Sequence, residues 1–92
     1  MTELTIGWDQ QGVYAVATGA QVTKRTSRVT VAGRATIGAT AYDLLVGANA
    51  NRAIAVPAAQ MIWLTPGPKE PQTVLVQDWL CVERGANGTW HV

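Results

Sequence analysis

Apolar and polar residues alternate along much of this chain, and alternation of period two puts successive side chains on opposite faces of a strand. In Thr2-Glu3-Leu4-Thr5-Ile6-Gly7-Trp8 the pattern places Leu4, Ile6 and Trp8 on one face. Asp9-Gln10-Gln11-Gly12 supplies turn residues, and Val13-Tyr14-Ala15-Val16-Ala17 resumes the extended pattern, so residues 2–18 read as a β-hairpin. A second turn falls at Thr18-Gly19-Ala20. Residues 21–32 are rich in threonine and valine and read as one long strand or two short ones. Gly33 interrupts them with a bend or bulge before Arg34-Ala35-Thr36-Ile37 extends the sheet.

The segment 39–46 holds the only plausible helix, with Thr40 placed to cap its start and Gly47 to end it. It would run barely two turns and persist only if Leu44 and Leu45 dock on the sheet, so a loop or a strand is the competing reading. Ala53-Ile54-Ala55-Val56 is a strand that stops at Pro57, and Met61-Ile62-Trp63-Leu64 is another. Residues 65–71 carry three prolines and form the clearest loop. Beyond it, Thr73-Val74-Leu75-Val76 and Trp79-Leu80-Cys81-Val82-Glu83 are strands separated by Gln77-Asp78. The Asn87-Gly88 pair then turns the chain into Thr89-Trp90-His91-Val92, with the last residue expected in the sheet. Many short strands with turn signals between them, and at most one short helix near 40–46, describe an all-β domain, a small antiparallel barrel or sandwich spanning residues 1–92.

Composition narrows the picture. With 92 residues the chain makes one core, and a domain of that size buries only roughly 60–65% of its unfolded surface, so a partner that covers more would help it. Charged residues are 14% of the chain against about 25% in an average soluble domain, and the formal net charge is +1. Weak self-repulsion of this kind suits a protein that sits in an assembly. The N-terminal residues do not form a basic-then-apolar leader, and no apolar run reaches the ~20 residues that cross a bilayer. The expected location is a virion or the cytoplasm, not secretion by a signal peptide or a membrane.

Candidate chemistry is sparse. One serine, one cysteine and one histidine must serve any nucleophile–base pair, and Ser27, Cys81 and His91 read as a solvated hydroxyl, a buried small hydrophobe and a sheet-face imidazole. A single cysteine excludes an internal disulfide and argues against a thiolate zinc site. The acids Glu3, Asp9, Asp43, Glu70, Asp78 and Glu83 fall mostly in turns or at strand ends. Residues 33–38 begin and end in glycine but lack the Gly-Lys-Ser/Thr ending of a phosphate loop. The expectation is therefore no enzyme, no catalytic residue, no cofactor and no metal.

Two features point to contacts instead. Lys24, Arg25, Arg28 and Arg34 are four of the seven basic residues, with no acid between Asp9 and Asp43. They read either as a charged edge strand that resists unwanted pairing or as a site for phosphates or an acidic protein surface. Four tryptophans stand beside no phenylalanine. Trp8, Trp63 and Trp90 suit a core, and Trp79 opens a strand apolar on both faces, which is either central or covered by a partner. Trp79 and Trp90 join the four basic residues as candidate partner-binding positions.

The stretch Leu44-Leu45-Val46-Gly47-Ala48-Asn49-Ala50-Asn51-Arg52-Ala53-Ile54-Ala55-Val56 resembles a passage in small β-sandwich domains of tailed-phage virion proteins, where a Leu-Leu pair leads through an Asn-x-Asn-Arg turn into an alternating strand. Those domains usually continue with Gln-Asn and a turn, where this chain has Pro57-Ala58-Ala59-Gln60. The resemblance implies a structural role as decoration, connector, tail or fibre component, and assigns no catalytic residue. The expected function is thus assembly with copies of itself or with a larger virion. The alternative is a small β-barrel that binds nucleic acid through residues 24–34.

Overall fold

The computed structural model describes residues 2–61, 70 and 72–92 and, for Lys24, the backbone alone. The described strands are β1 (Glu3–Asp9), β2 (Gly12–Gly19), β3 (Val22–Ile37), β4 (Thr40–Val46), β5 (Arg52–Pro57), β6 (Gln72–Leu75), β7 (Leu80–Arg84) and β8 (Trp90–His91), with one 3₁₀ turn at Ala58–Gln60. They form a single antiparallel sheet in the order β6-β1-β2-β3-β4-β5-β7-β8, which does not close into a barrel. The strand expected at residues 61–64 and the proline loop lie, apart from Met61 and Glu70, outside the described residues, as does Trp63.

β3 organises the molecule. Its first half pairs with β2, from Gly19↔Val22 to Val13↔Val29, and its second half pairs with β4, from Thr30↔Val46 to Ile37↔Thr40. The sheet thereby folds over on itself into a first half, β6-β1-β2 with the start of β3, and a second half, the end of β3 with β4-β5-β7-β8. Between Val31 and Gly33 the register slips by one residue, and Gly33 takes φ +155, open to glycine at no steric cost. The slip reverses the facing of the odd-numbered residues. Val31 shares a face with Leu45, whereas Ala35 shares one with Tyr42. Val29 therefore packs on one hydrophobic cluster, and Ala35 and Ile37 on another.

The first cluster lies between the halves. Leu4, Ile6, Val13, Ala15 and Val74 from the first half meet Leu45 and Val56 from the second, with Met61 and Val76 completing it. The second cluster, Tyr42, Leu44, Ala53, Ala55 and Val82, occupies the opposite face of the second half. A sheet buried on both faces reads as a near-continuous apolar run, which is why residues 39–46 mimic a helix in sequence. The structure corrects that reading: β4 is a strand, with Tyr42 and Leu44 on one face and Leu45 buried on the other. Gly47 follows it as an exposed loop residue, not a helix cap.

Turns follow local chemistry. The Asn49 side chain accepts from the Asn51 amide at 2.9 Å, and Asn87 Oδ1 accepts from the Thr89 amide at 3.2 Å, both Asx-type turns. Asp78 adopts φ 57, a left-handed conformation that aspartate tolerates, and so breaks β6 from β7. Gln60 fixes that break: its amide nitrogen donates to the Gln77 carbonyl at 2.6 Å and its amide oxygen accepts from the Gln77 nitrogen at 2.8 Å, as a neighbouring strand would. β8 ends at His91, and Val92, expected in the sheet, is 75% exposed.

Candidate functional site

The two halves do not cover each other fully. Across the inward face of the first half, the row Val74–Ile6–Ala15–Ser27 runs from buried at β6 to exposed at β3. In the second half, the row Leu45–Ile54–Cys81 runs from buried at β4 to exposed at β7. Both rows lose their cover on the same side of the molecule. A cleft of about 760 Å³ opens there, with Arg25, Ser27 and Val29 of β3 on one wall and Arg52, Ile54, Cys81 and Glu83 of β5 and β7 on the other. Gly47, Asn49 and Val92 reach its margin.

Cys81 is consequently a free, exposed thiol, and its expected role as a buried small hydrophobe is corrected. Its neighbours in β7, Leu80 and Val82, do face the apolar second cluster. The alternation of Cys81 and Glu83 against them was the signal in the sequence that this strand has an uncovered side. Ser27 shares the cleft, while His91 pairs with Glu83 in the β7–β8 register and does not line it. Among the described residues no group of three or more His, Cys, Asp or Glu side chains is placed to hold a metal.

The basic segment is dispersed by the fold. Arg28 lies on the outward face of the first half, where its two terminal nitrogens donate to both carboxylate oxygens of Asp9 at 2.9 and 2.8 Å and one also donates to the Gly12 carbonyl at 3.0 Å. Its guanidinium sits 5.1 Å from the Tyr14 ring centre. The ring in turn covers Gly7, its cross-strand partner, so closely that a β-carbon there would overlap it. The Arg28 hydrogen bond holds the Asp9 carboxyl below its ordinary pKa against the opposing effect of desolvation, with lesser help from the Gln11 and Gly12 amides, and the same bond raises that of Arg28. This is a strut from the β1–β2 turn to β3.

Arg34, beyond the bulge, donates to Asp43 at 3.0 Å, and Arg52 faces Glu83 at 3.3 Å across the β5–β7 pair. Arg25 differs: no carboxylate among the described residues pairs with it. The candidate tryptophans part company too. Trp79 is half-buried against the first cluster, and Trp90 is half-buried against the second, with Arg84 4.8 Å from its ring centre. Of the five candidate contact residues whose side chains are described, only Arg25 lines the cleft; Arg28 and Arg34 are tied by ion pairs.

Comparison of the chain with protein-family models, with curated proteins and with solved structures found no match.

Proposed function

We propose that this chain is a non-enzymatic contact protein that works as a small structural component of a larger assembly, most specifically a phage particle. The observation that carries the reading is the incomplete closure of the sheet. A domain with 14% charged residues leaves the first half of β3 unpaired on one side by any described strand, and leaves the inward face of β7 open beside it. Unpaired edges on globular domains are normally blunted or covered, and covering one is what an assembly contact does. The phage attribution rests on the sequence resemblance of residues 44–56, which fall on the end of β4, the Asx turn and β5.

The nucleic-acid reading draws less support. Arg28 and Arg34 are already bound to carboxylates, and Arg25, Arg28 and Arg34 stand on different faces or in different halves of the sheet, so the described basic side chains form no continuous stripe for a phosphate backbone.

Light scattering of the purified protein, alone and with phage capsid and tail proteins, tests the assembly reading. A stable oligomer or a stoichiometric complex with one of those proteins is the expected result. A strict monomer that joins none of them would overturn it.

A further inference from the structure

We propose that the cleft receives an extended acidic segment of a partner protein, which adds as a strand to the edge of β3 along Val22–Val29 that no described strand pairs. This deepens the contact reading above by naming the site and the chemistry of the partner, and it rests on that reading.

Three observations converge. First, among the described strands the fold is one short on this side. The first half of the sheet contributes four strands and the second five, and the exposed inward positions of β7, Cys81 and Glu83, lie where the first half has stopped. Second, the cleft follows the strand edge. Arg25, Ser27 and Val29 are alternate residues of β3, so an added neighbour in register would turn its own alternate side chains into the same space, towards Ile54 and Cys81. Main-chain hydrogen bonds to the β3 edge would supply affinity and the cleft selectivity.

Third, charge chooses the occupant. Arg25 stands in the cleft with no carboxylate partner among the described residues, while Arg52 across from it is engaged by Glu83. A carboxylate on the inward face of the incoming strand meets Arg25, and apolar residues at the next inward positions meet Val29 and Ile54. A second copy of this chain fits less well: paired edge to edge, residues 22–29 of the copy carry no carboxylate to set against Arg25.

The test uses the full chain and a short synthetic peptide that alternates threonine with valine and carries one glutamate on the valine face. Amide hydrogen exchange maps where it binds, and the alkylation rate of Cys81 reports whether the cleft fills. Saturable binding with slowed exchange within residues 22–29 and slowed alkylation is expected. Arg25→Glu should weaken that peptide roughly three- to tenfold and favour a peptide with lysine in place of glutamate. As an arm free of substitutions, protein already alkylated at Cys81 with a bulky maleimide, its thermal unfolding unchanged, should bind neither peptide. Protection at β6 or β8 instead, equal binding of the glutamate and lysine peptides by the native chain, or no binding at millimolar peptide would each overturn the proposal. Oligomerisation or capture by particle proteins that is indifferent to Arg25→Glu and to maleimide would also overturn it while leaving the assembly reading intact.

Discussion

β3 and the β4–β5 hairpin are neighbours in one sheet and are held in place by different physics. The hairpin buries Tyr42, Leu44 and Leu45 from β4 and Ala53, Ala55 and Val56 from β5, because both its faces are covered. β3 is 16 residues long and has no buried side chain among those described. Hydrophobic burial stabilises the hairpin directly. The long strand instead depends on backbone pairing with β2 and β4, on a glycine bulge and on ion pairs across its surface. The contrast teaches that strand length is no guide to stability here; the number of covered faces is.

The sharpest way to break that contrast is to remove side-chain volume from each element. Leu45→Ala in β4, where the side chain is 1% exposed, should cost about 2–5 kcal/mol in denaturant unfolding through lost burial and the cavity left behind. Val31→Ala, its cross-strand neighbour in β3, should stay within about 0.5 kcal/mol. Comparable losses at the two positions would show that β3 carries core energy after all.

Next in size is the bulge. A β-carbon at Gly33 meets nothing within 4 Å, so Gly33→Val isolates the cost of holding a branched residue at φ +155. A destabilisation of about 1–3 kcal/mol is expected from thermal or denaturant melts, and a neutral result would mean the bulge can relocate along β3. Gly7→Ala should follow at about 1 kcal/mol, because the Tyr14 ring must leave the glycine and with it the stack on Arg28. Loss of the ring's upfield NMR shifts on neighbouring protons would check the displacement itself.

The smallest effect is the most specific. Arg28→Gln removes the group that lowers the Asp9 pKa, so an NMR titration of Asp9 should move up towards the ordinary carboxylate value. The sign follows from linkage. With the folded pKa depressed, the stabilising contribution is present above the unfolded pKa and is lost as pH falls through the folded one. Both partners are solvent-exposed, so the contribution is small, and the variant should lack it. An unmoved Asp9 titration would assign the depression to the Gln11 and Gly12 amides.

How much of this could be read from the residues depended on whether one face or two were covered. The 2–18 hairpin, the interruption at Gly33 and the Asn87-Gly88 turn were legible because strict alternation and turn residues coincide there. β4 was not, since burial on both faces erases the alternation that distinguishes a strand from a short helix. Cys81 misled for a related reason. Its apolar neighbours Leu80 and Val82 report the covered face of β7, and Glu83 two residues on is the single sign in the sequence that the other face lacks cover. The basic segment was legible as a cluster in sequence but not in space. One bulge and the alternation of a strand sent Arg25, Arg28 and Arg34 to three surroundings, and each found, or failed to find, its own carboxylate.

The sharing of β3 between both halves has a consequence for how the protein comes apart. Neither half owns a complete set of strands without it, and the first cluster draws its residues from both sides of the fold. Melting one half would strip β3 of half its partners and expose the hydrophobic filling of the other. Partial unfolding therefore has no comfortable resting place, and a single cooperative unfolding transition is expected despite the two-part architecture. A chain that is either whole or wholly denatured presents a single, reproducible surface.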